Sequence, residues 1–133
     1  MLRKIDCVML HVEDLDAALA YYQKVFGLRL HWRNGLQAGL GMPETDAEIV
    51  LYSGPDLPPG ASVHYLVDDV TSAVEQLAAQ GCSVLVAPFE ITIGKCAVIS
   101  DPFGNTLAIL DMTKGPLPEG YGLTASDAAK NGS

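Results

Sequence analysis

Residues 10–19, Leu-His-Val-Glu-Asp-Leu-Asp-Ala-Ala-Leu, recur as residues 65–74, Tyr-Leu-Val-Asp-Asp-Val-Thr-Ser-Ala-Val, at a constant offset of 55. A self-similarity of this length constrains the fold more than any single motif, because it makes the chain two copies of one supersecondary unit. Each copy reads as a strand end, two acidic residues and a helix. In the first, Asp14 is the expected N-cap, Leu15, Ala18, Leu19, Tyr22, Val25 and Phe26 form the apolar stripe, and Gly27 stops the helix. In the second, Asp69 caps, Val70, Ala73, Val74, Leu77 and Ala78 form the stripe, and Gly81 stops it.

Three strands are expected after each helix. Those of the first copy fall at 28–33, 36–41 and 47–52, with a turn at Asn34-Gly35 and a loop over 42–46. Those of the second fall at 82–87, 94–100 and 106–111, with a turn over 101–105. The domain organisation predicted is therefore a first βαβββ unit over 1–52, a Pro- and Gly-rich linker over 53–60, a second βαβββ unit over 61–114, and a tail over 115–133 that is frayed or packed on a partner. At 133 residues the two units must share their burial to be stable.

Composition narrows the function classes. A formal charge of −8 with only eight Lys and Arg, and no cluster of them along the sequence, makes nucleic acid a poor partner. No apolar run approaches the ~20 residues of a membrane span, and the amino end lacks a signal-peptide core, so a cytoplasmic protein without membrane contact is expected. Cys7, Cys82 and Cys96 lack the close pairing of zinc or redox motifs and read as reduced thiols.

Strand alternation splits each opening strand into two faces. Val8, Leu10 and Val12, with Val63, Tyr65 and Val67, suit the side beneath a helix. The opposite set is mixed: Cys7, Met9 and His11 against Ser62, His64 and Leu66, expected to face an enclosed space. On the closing strands Val50 and Tyr52 pair with Ala108 and Leu110, provided Leu51 and Ile109 take the helix side.

His64 is the side chain best suited to donate to a ligand or move a proton, with a hydrogen-bonded structural histidine as its alternative. His11 shares that face but lies beside the helix start, and His31 alternates with Arg29 and Arg33 in a row that reads as solvated. Trp32 and Tyr52 suit stacking on a flat or cationic ligand and equally suit packing. Cys7 reads as core filler, there being no nearby cation to activate its thiol. Gly39-Leu40-Gly41 has no following helix and signals close approach within a strand rather than a phosphate loop.

Val12-Glu13-Asp14-Leu15 running into Ala18-Leu19-Ala20-Tyr21-Tyr22 and Phe26-Gly27-Leu28, then Val67-Asp68-Asp69-Val70, and finally Asp101-Pro102-Phe103-Gly104-Asn105-Thr106-Leu107, together resemble the vicinal oxygen chelate superfamily. That group contains glyoxalase I, bleomycin-resistance proteins, fosfomycin-resistance enzymes and extradiol dioxygenases, and the resemblance covers about residues 4 to 113. It implies an α+β fold in which two βαβββ units form a cupped mixed sheet, a small-molecule site in the cup, and a homodimer. It also assigns the positions of metal ligands in metal-dependent members to Cys7, Val50, Ser62 and Ala108. Val and Ala have no donor atom and a serine hydroxyl is a poor ligand at neutral pH, so neither metal nor cofactor is expected. Neither closing strand offers an obvious inward carboxylate to complete a shifted site.

The function expected is metal-free binding of an aromatic or cationic small molecule by Cys7, Met9, His11, Trp32, Tyr52, Ser62 and His64. One alternative is a metal-independent isomerase or lyase using His64 as acid or base, with Tyr52 or Cys7. Another is a metal-dependent glyoxalase- or dioxygenase-type enzyme with atypical ligands.

Overall fold

A computed structural model describes residues 1–132. Among them are eight strands and three helices in two compact units. The first unit comprises Cys7–Asp56 together with the segment from Pro118; the second comprises Met1–Asp6 and Leu57–Leu117.

β1 (Lys4–His11), which belongs to the first unit from Cys7 onward, leads into α1 (Leu15–Val25), β2 (Arg29–Arg33), β3 (Gln37–Met42) and β4 (Thr45–Tyr52). The strands lie in the order β2-β3-β4-β1, with β1 parallel to β4 and the other pairs antiparallel. The Asp14 carboxylate accepts from Ala17 N–H at 3.0 Å and opens the helix as its cap. Gly27, at φ 68°, ends it in the left-handed conformation that a side chain disfavours. Leu15 and Leu19 bury against Leu30, Ala38, Leu40 and Leu51, so this helix covers one face of its sheet. Leu40 and Leu51 are fully buried, and truncating either to Ala is expected to cost about 2–5 kcal/mol. The expected turn at Asn34-Gly35 forms, its Asn34 side chain accepting from Leu36 and Gln37 N–H. The loop expected over 42–46 shrinks to a tight hairpin, since β3 continues to Met42 and β4 begins at Thr45.

The segment after residue 114, expected to fray or to cover a partner, instead builds onto the first unit from Pro118 onward. Arg33 N–H donates to the Tyr121 carbonyl at 3.0 Å, Leu123 packs on the core, and helix α3 (Ala125–Gly132) follows. Thr124 and Asp127 cap this helix reciprocally, each side chain accepting from the other's backbone N–H at 3.1 Å. At its far end the Asn131 amide accepts from Leu30 N–H and donates to Leu30 C=O, replacing a neighbouring strand along the free edge of β2. Gly122 permits this approach: its φ is 71°, and a Cβ there would overlap the Arg33 carbonyl.

The second unit repeats the plan with β5 (Val63–Leu66), α2 (Val70–Ala79), β6 (Ser83–Ile91), β7 (Gly94–Ser100) and β8 (Thr106–Leu110), in the sheet order β5-β8-β7-β6. Asp69 caps α2 by accepting from Ser72 N–H at 2.9 Å. Val70 and Ala73 pack on Val67, Ala97 and Ile109. β6 runs on past the expected residue 87 and accommodates Pro88, which an edge strand tolerates because its outward N–H has no partner to lose. The carboxylate of Asp111, fully buried, accepts from Val70 N–H at 2.7 Å, Lys95 N–H at 3.0 Å, and the N–H and hydroxyl of Thr113 at 3.2 and 2.8 Å. Desolvation alone would raise its pKa, but the donors from Val70, Thr113 and Lys95 outweigh it and hold the group below the usual carboxylate range. Asp101 organises the turn after β7, accepting from Phe103 and Asn105 N–H at 2.8 Å each. No helix among the described residues is long and apolar enough to cross a membrane.

Candidate functional site

In each unit one sheet face lies under a helix and the other does not. In the first unit Leu10, Ile49 and Leu51 belong to the helix side, so alternation turns Cys7, Met9 and His11 of β1 and Glu48, Val50 and Tyr52 of β4 to the opposite face. The parallel register sets them side by side as Cys7 with Glu48, Met9 with Val50, and His11 with Tyr52. On β3 the neighbours of Glu48 and Val50 are Gly41 and Gly39.

A bulge between Leu30 and Trp32 then breaks the alternation of β2. Both His31 and Trp32 swing over β3 and reach the Glu48 carboxylate on β4. Trp32 Nε1–H donates to Oε1 at 2.9 Å, and His31 Nδ1–H donates to Oε2 at 2.8 Å. The glycines make this crossing possible: a Cβ on Gly39 would overlap the indole, and one on Gly41 would overlap the imidazole. The close approach expected of Gly39 and Gly41 is thus an approach of rings, not of backbone. The His31 side chain keeps 43% of its surface exposed while Glu48 keeps 22%, so the imidazole remains reachable with its Nδ1 fixed.

His11 and Tyr52 form a second fastened pair. Their rings meet edge to face with centroids 5.1 Å apart. His11 Nε2–H donates to the Gly54 carbonyl at 3.0 Å, and Tyr52 O–H donates to Asp56 at 2.6 Å. The exposed His11 is therefore anchored in the segment that follows β4 rather than by a cap contact at α1.

The open face of the second unit is of another kind. Ala61, Val98 and Ala108 form one buried apolar cluster, and Leu66, Cys96 and Leu110 another. Burial pushes the Cys96 thiol up to about 12, so it stays protonated. Ser62 is exposed, while His64 is buried with 3% of its surface accessible. His64 Nδ1–H donates to the Ser62 carbonyl at 3.3 Å. Burial lowers its pKa more than that hydrogen bond raises it, which keeps the imidazole neutral at pH 7.

Of the expected residues, then, Cys7, Met9, His11, Trp32 and Tyr52 share the open face of the first unit, with Cys7 and Tyr52 themselves buried; Ser62 and His64 belong to the second unit. Two functional candidates had been passed over. His31 is exposed, as expected, but also bonded to a carboxylate, and Glu48 is the carboxylate that the closing strands had seemed to lack. Stepping back two residues from Val50 would have found Glu48, whereas the bulge that turns His31 cannot be read from the amino-acid sequence of β2 alone.

The ligand positions that metal-dependent relatives would use do not fit a divalent ion here. Val50 and Ala108 carry no donor, and among the described residues no three His, Cys, Asp or Glu side chains are grouped to hold one. What the first unit does offer is a flat indole, a carboxylate and an imidazole, each held in one orientation.

Residues 4–109 match the sequence model of the Glyoxalase/Bleomycin resistance protein/Dioxygenase superfamily. Proteins of Mycobacterium bovis and Mycobacterium tuberculosis, both named "Putative glyoxylase CFP32", are 33% identical over 102 residues, which is 71% of this chain and 39% of theirs. The chain thus spans about two fifths of the length of these curated relatives. Methylmalonyl-CoA epimerase from Mycobacterium tuberculosis is similar in structure with a TM-score of 0.67 and 22% identity, covering 88% of this chain and 90% of that one. A variant of the Streptomyces coelicolor enzyme in complex with 2-nitronate-propionyl-CoA gives 0.65 and 19%, covering 85% and 99%. At these identities the structural likeness establishes the shared fold.

Proposed function

Since this chain belongs to the Glyoxalase/Bleomycin resistance protein/Dioxygenase superfamily, we propose that it binds a small aromatic or cationic molecule on the open face of its first unit, without a metal ion. The observation that carries this reading is the fastening of Trp32 and His31 over Gly39 and Gly41 by one carboxylate. A ring whose orientation is set before binding loses little entropy when a ligand stacks on it. Met9, backed by the buried Val50, supplies apolar contact, and Glu48 favours positive charge in the ligand. His11 contributes a polar edge, its ring held against the buried Tyr52; Ser62 and His64 belong to the second unit and are not part of this face. The family likeness makes a homodimer the expected assembly; a monomer at micromolar concentration in analytical ultracentrifugation would remove that expectation.

Trp32 is the single tryptophan of the chain, so intrinsic fluorescence reports on this site alone. Titration with aromatic ammonium compounds is expected to quench it saturably, and Glu48→Gln is expected to weaken the cationic ligands more than neutral ones. Absence of saturable quenching by cationic, neutral and anionic aromatics alike would overturn the reading.

A second reading is favoured by one observation, the exposed imidazole of His31 held by Glu48 at 2.8 Å. A histidine oriented by a carboxylate can take a proton from carbon beside a carbonyl and return it, the balance of an isomerisation or epimerisation. His64 suits that task less, being buried. Exchange of such a proton with deuterated solvent, followed by NMR, should then disappear in His31→Gln while fluorescence quenching persists; exchange that survives the substitution rejects this role.

A further inference from the structure

Outside this face, the first unit holds a groove between α1, β2 and α3, about 710 Å³ in volume and on the helix side of the sheet. Its floor is apolar, built from Leu19, Leu28 and Leu30. Its walls gather Lys24, Arg29, Arg33 and Lys130, half of all the cations in a chain whose formal charge is −8. Two acids accompany them. Asp16 pairs with Arg33 at 2.8 Å, and the Asp127 carboxyl is engaged by Thr124 while facing the charges of Arg33 and Lys130. Lys24 and Arg29 have no carboxylate partner among the described residues; Arg29 Nη1 makes only a long hydrogen bond, 3.3 Å, to the Asn131 carbonyl.

We propose that this groove is a second ligand site, for a small organic anion that joins an apolar body to a carboxylate or phosphate. The leucine floor buries the body, and the guanidinium of Arg29, which has no carboxylate partner among the described residues, meets the charged head, to which its planar fork is suited. Lys24 has another explanation, since a cation in the last turn of α1 complements the carbonyl end of the helix. That same helix end repels an anion, which sets the head nearer to Arg29 than to Lys24. No helix dipole accounts for Arg29, which stands on a strand. α3 forms one wall, so the tail that pairs with the edge of β2 also completes the site.

Phenyl phosphate and 4-phenylbutyrate are the probes, with benzyl alcohol as the neutral control, followed by isothermal titration and by backbone amide shifts of the full chain. Saturable binding is expected for both anions and not for the alcohol, with the shifts centred on residues 24, 29, 30 and 131. Arg29→Gln is expected to weaken the anions at least tenfold, and raising the salt concentration to weaken them further. Arg29 is exposed, so the variant should retain the parent Tm, and it should leave the Trp32 quenching titration unchanged. Failure to saturate, an affinity indifferent to Arg29→Gln in a variant that keeps its Tm, or shifts centred on Trp32 and His31 would each overturn the proposal. The first two outcomes leave ligand binding at Trp32 untouched, since that is read separately by fluorescence; the third would move the anions to the face already described.

Discussion

In the second unit the Asp111 carboxylate is fully buried, and most of its donors are backbone N–H groups from three segments. In the first unit Glu48 keeps 22% of its side chain exposed, and its donors are the rings of Trp32 and His31. Both anions are satisfied, but they fasten different things. Asp111 ties the start of α2 to β7 and the end of β8, so its hydrogen bonds belong to the fold. Glu48 ties two rings to a sheet, so its hydrogen bonds belong to a surface a ligand can touch. The open faces follow the same division: Val98, Cys96, Leu66, Ala108 and Leu110 fill one, whereas aromatic and polar groups furnish the other. A repeated unit can therefore keep its helix-side packing in both copies and assign building to one open face and recognition to the other.

Asp111→Ala should be the most damaging change, costing about 3 kcal/mol or more because buried N–H donors lose their acceptor. Urea denaturation measures it, and a cost below about 1 kcal/mol would erase the contrast with Glu48. Gly39→Ala should come next, at about 1–3 kcal/mol, since the new methyl must displace the indole. Its diagnostic is a change in Trp32 emission; an unaltered spectrum would mean that the ring does not lie across β3.

A smaller effect is expected from pH. The folded-state pKa of His64 is depressed below its ordinary value of 6.5, so the unfolded chain binds the extra proton more readily. Its contribution to stability is full above pH 6.5 and is lost as pH falls through the lower, folded-state value. Denaturation curves at pH 7.5 and pH 5 should show this loss, and His64→Gln should flatten it. An equal slope in the variant would remove His64 from the buried, neutral set. Glu48→Gln should cost least, under about 1 kcal/mol, because a partly exposed pair contributes little to stability. A loss as large as that of Asp111→Ala would show Glu48 to be as structural as its counterpart.

What was legible in the sequence was what depends on near neighbours. Asp14 and Asp69 announce their helices because capping is a contact within three residues. The facing of Leu10 and Tyr65 follows from alternation within a single strand. Leu51 and Ile109 do take the helix side, so the faces assigned to Val50 and Ala108 stand. Trp32 was singled out for its chemistry, but its neighbour His31 was not, because a bulge is a property of two strands paired and cannot be read from the sequence of one of them alone. The glycines of β3 carried the signal in part: they announced a close approach without saying of what. The tail was illegible for a related reason, since its partner residues lie about a hundred positions upstream.

The bond between Asn131 and Leu30 sets an order of events during synthesis. Leu30 leaves the ribosome 101 residues before Asn131 does, an interval of roughly 5–20 s at ordinary elongation rates. Through that time the outer rim of the first half has no latch and is open to strand addition by chaperones or by a neighbouring nascent chain.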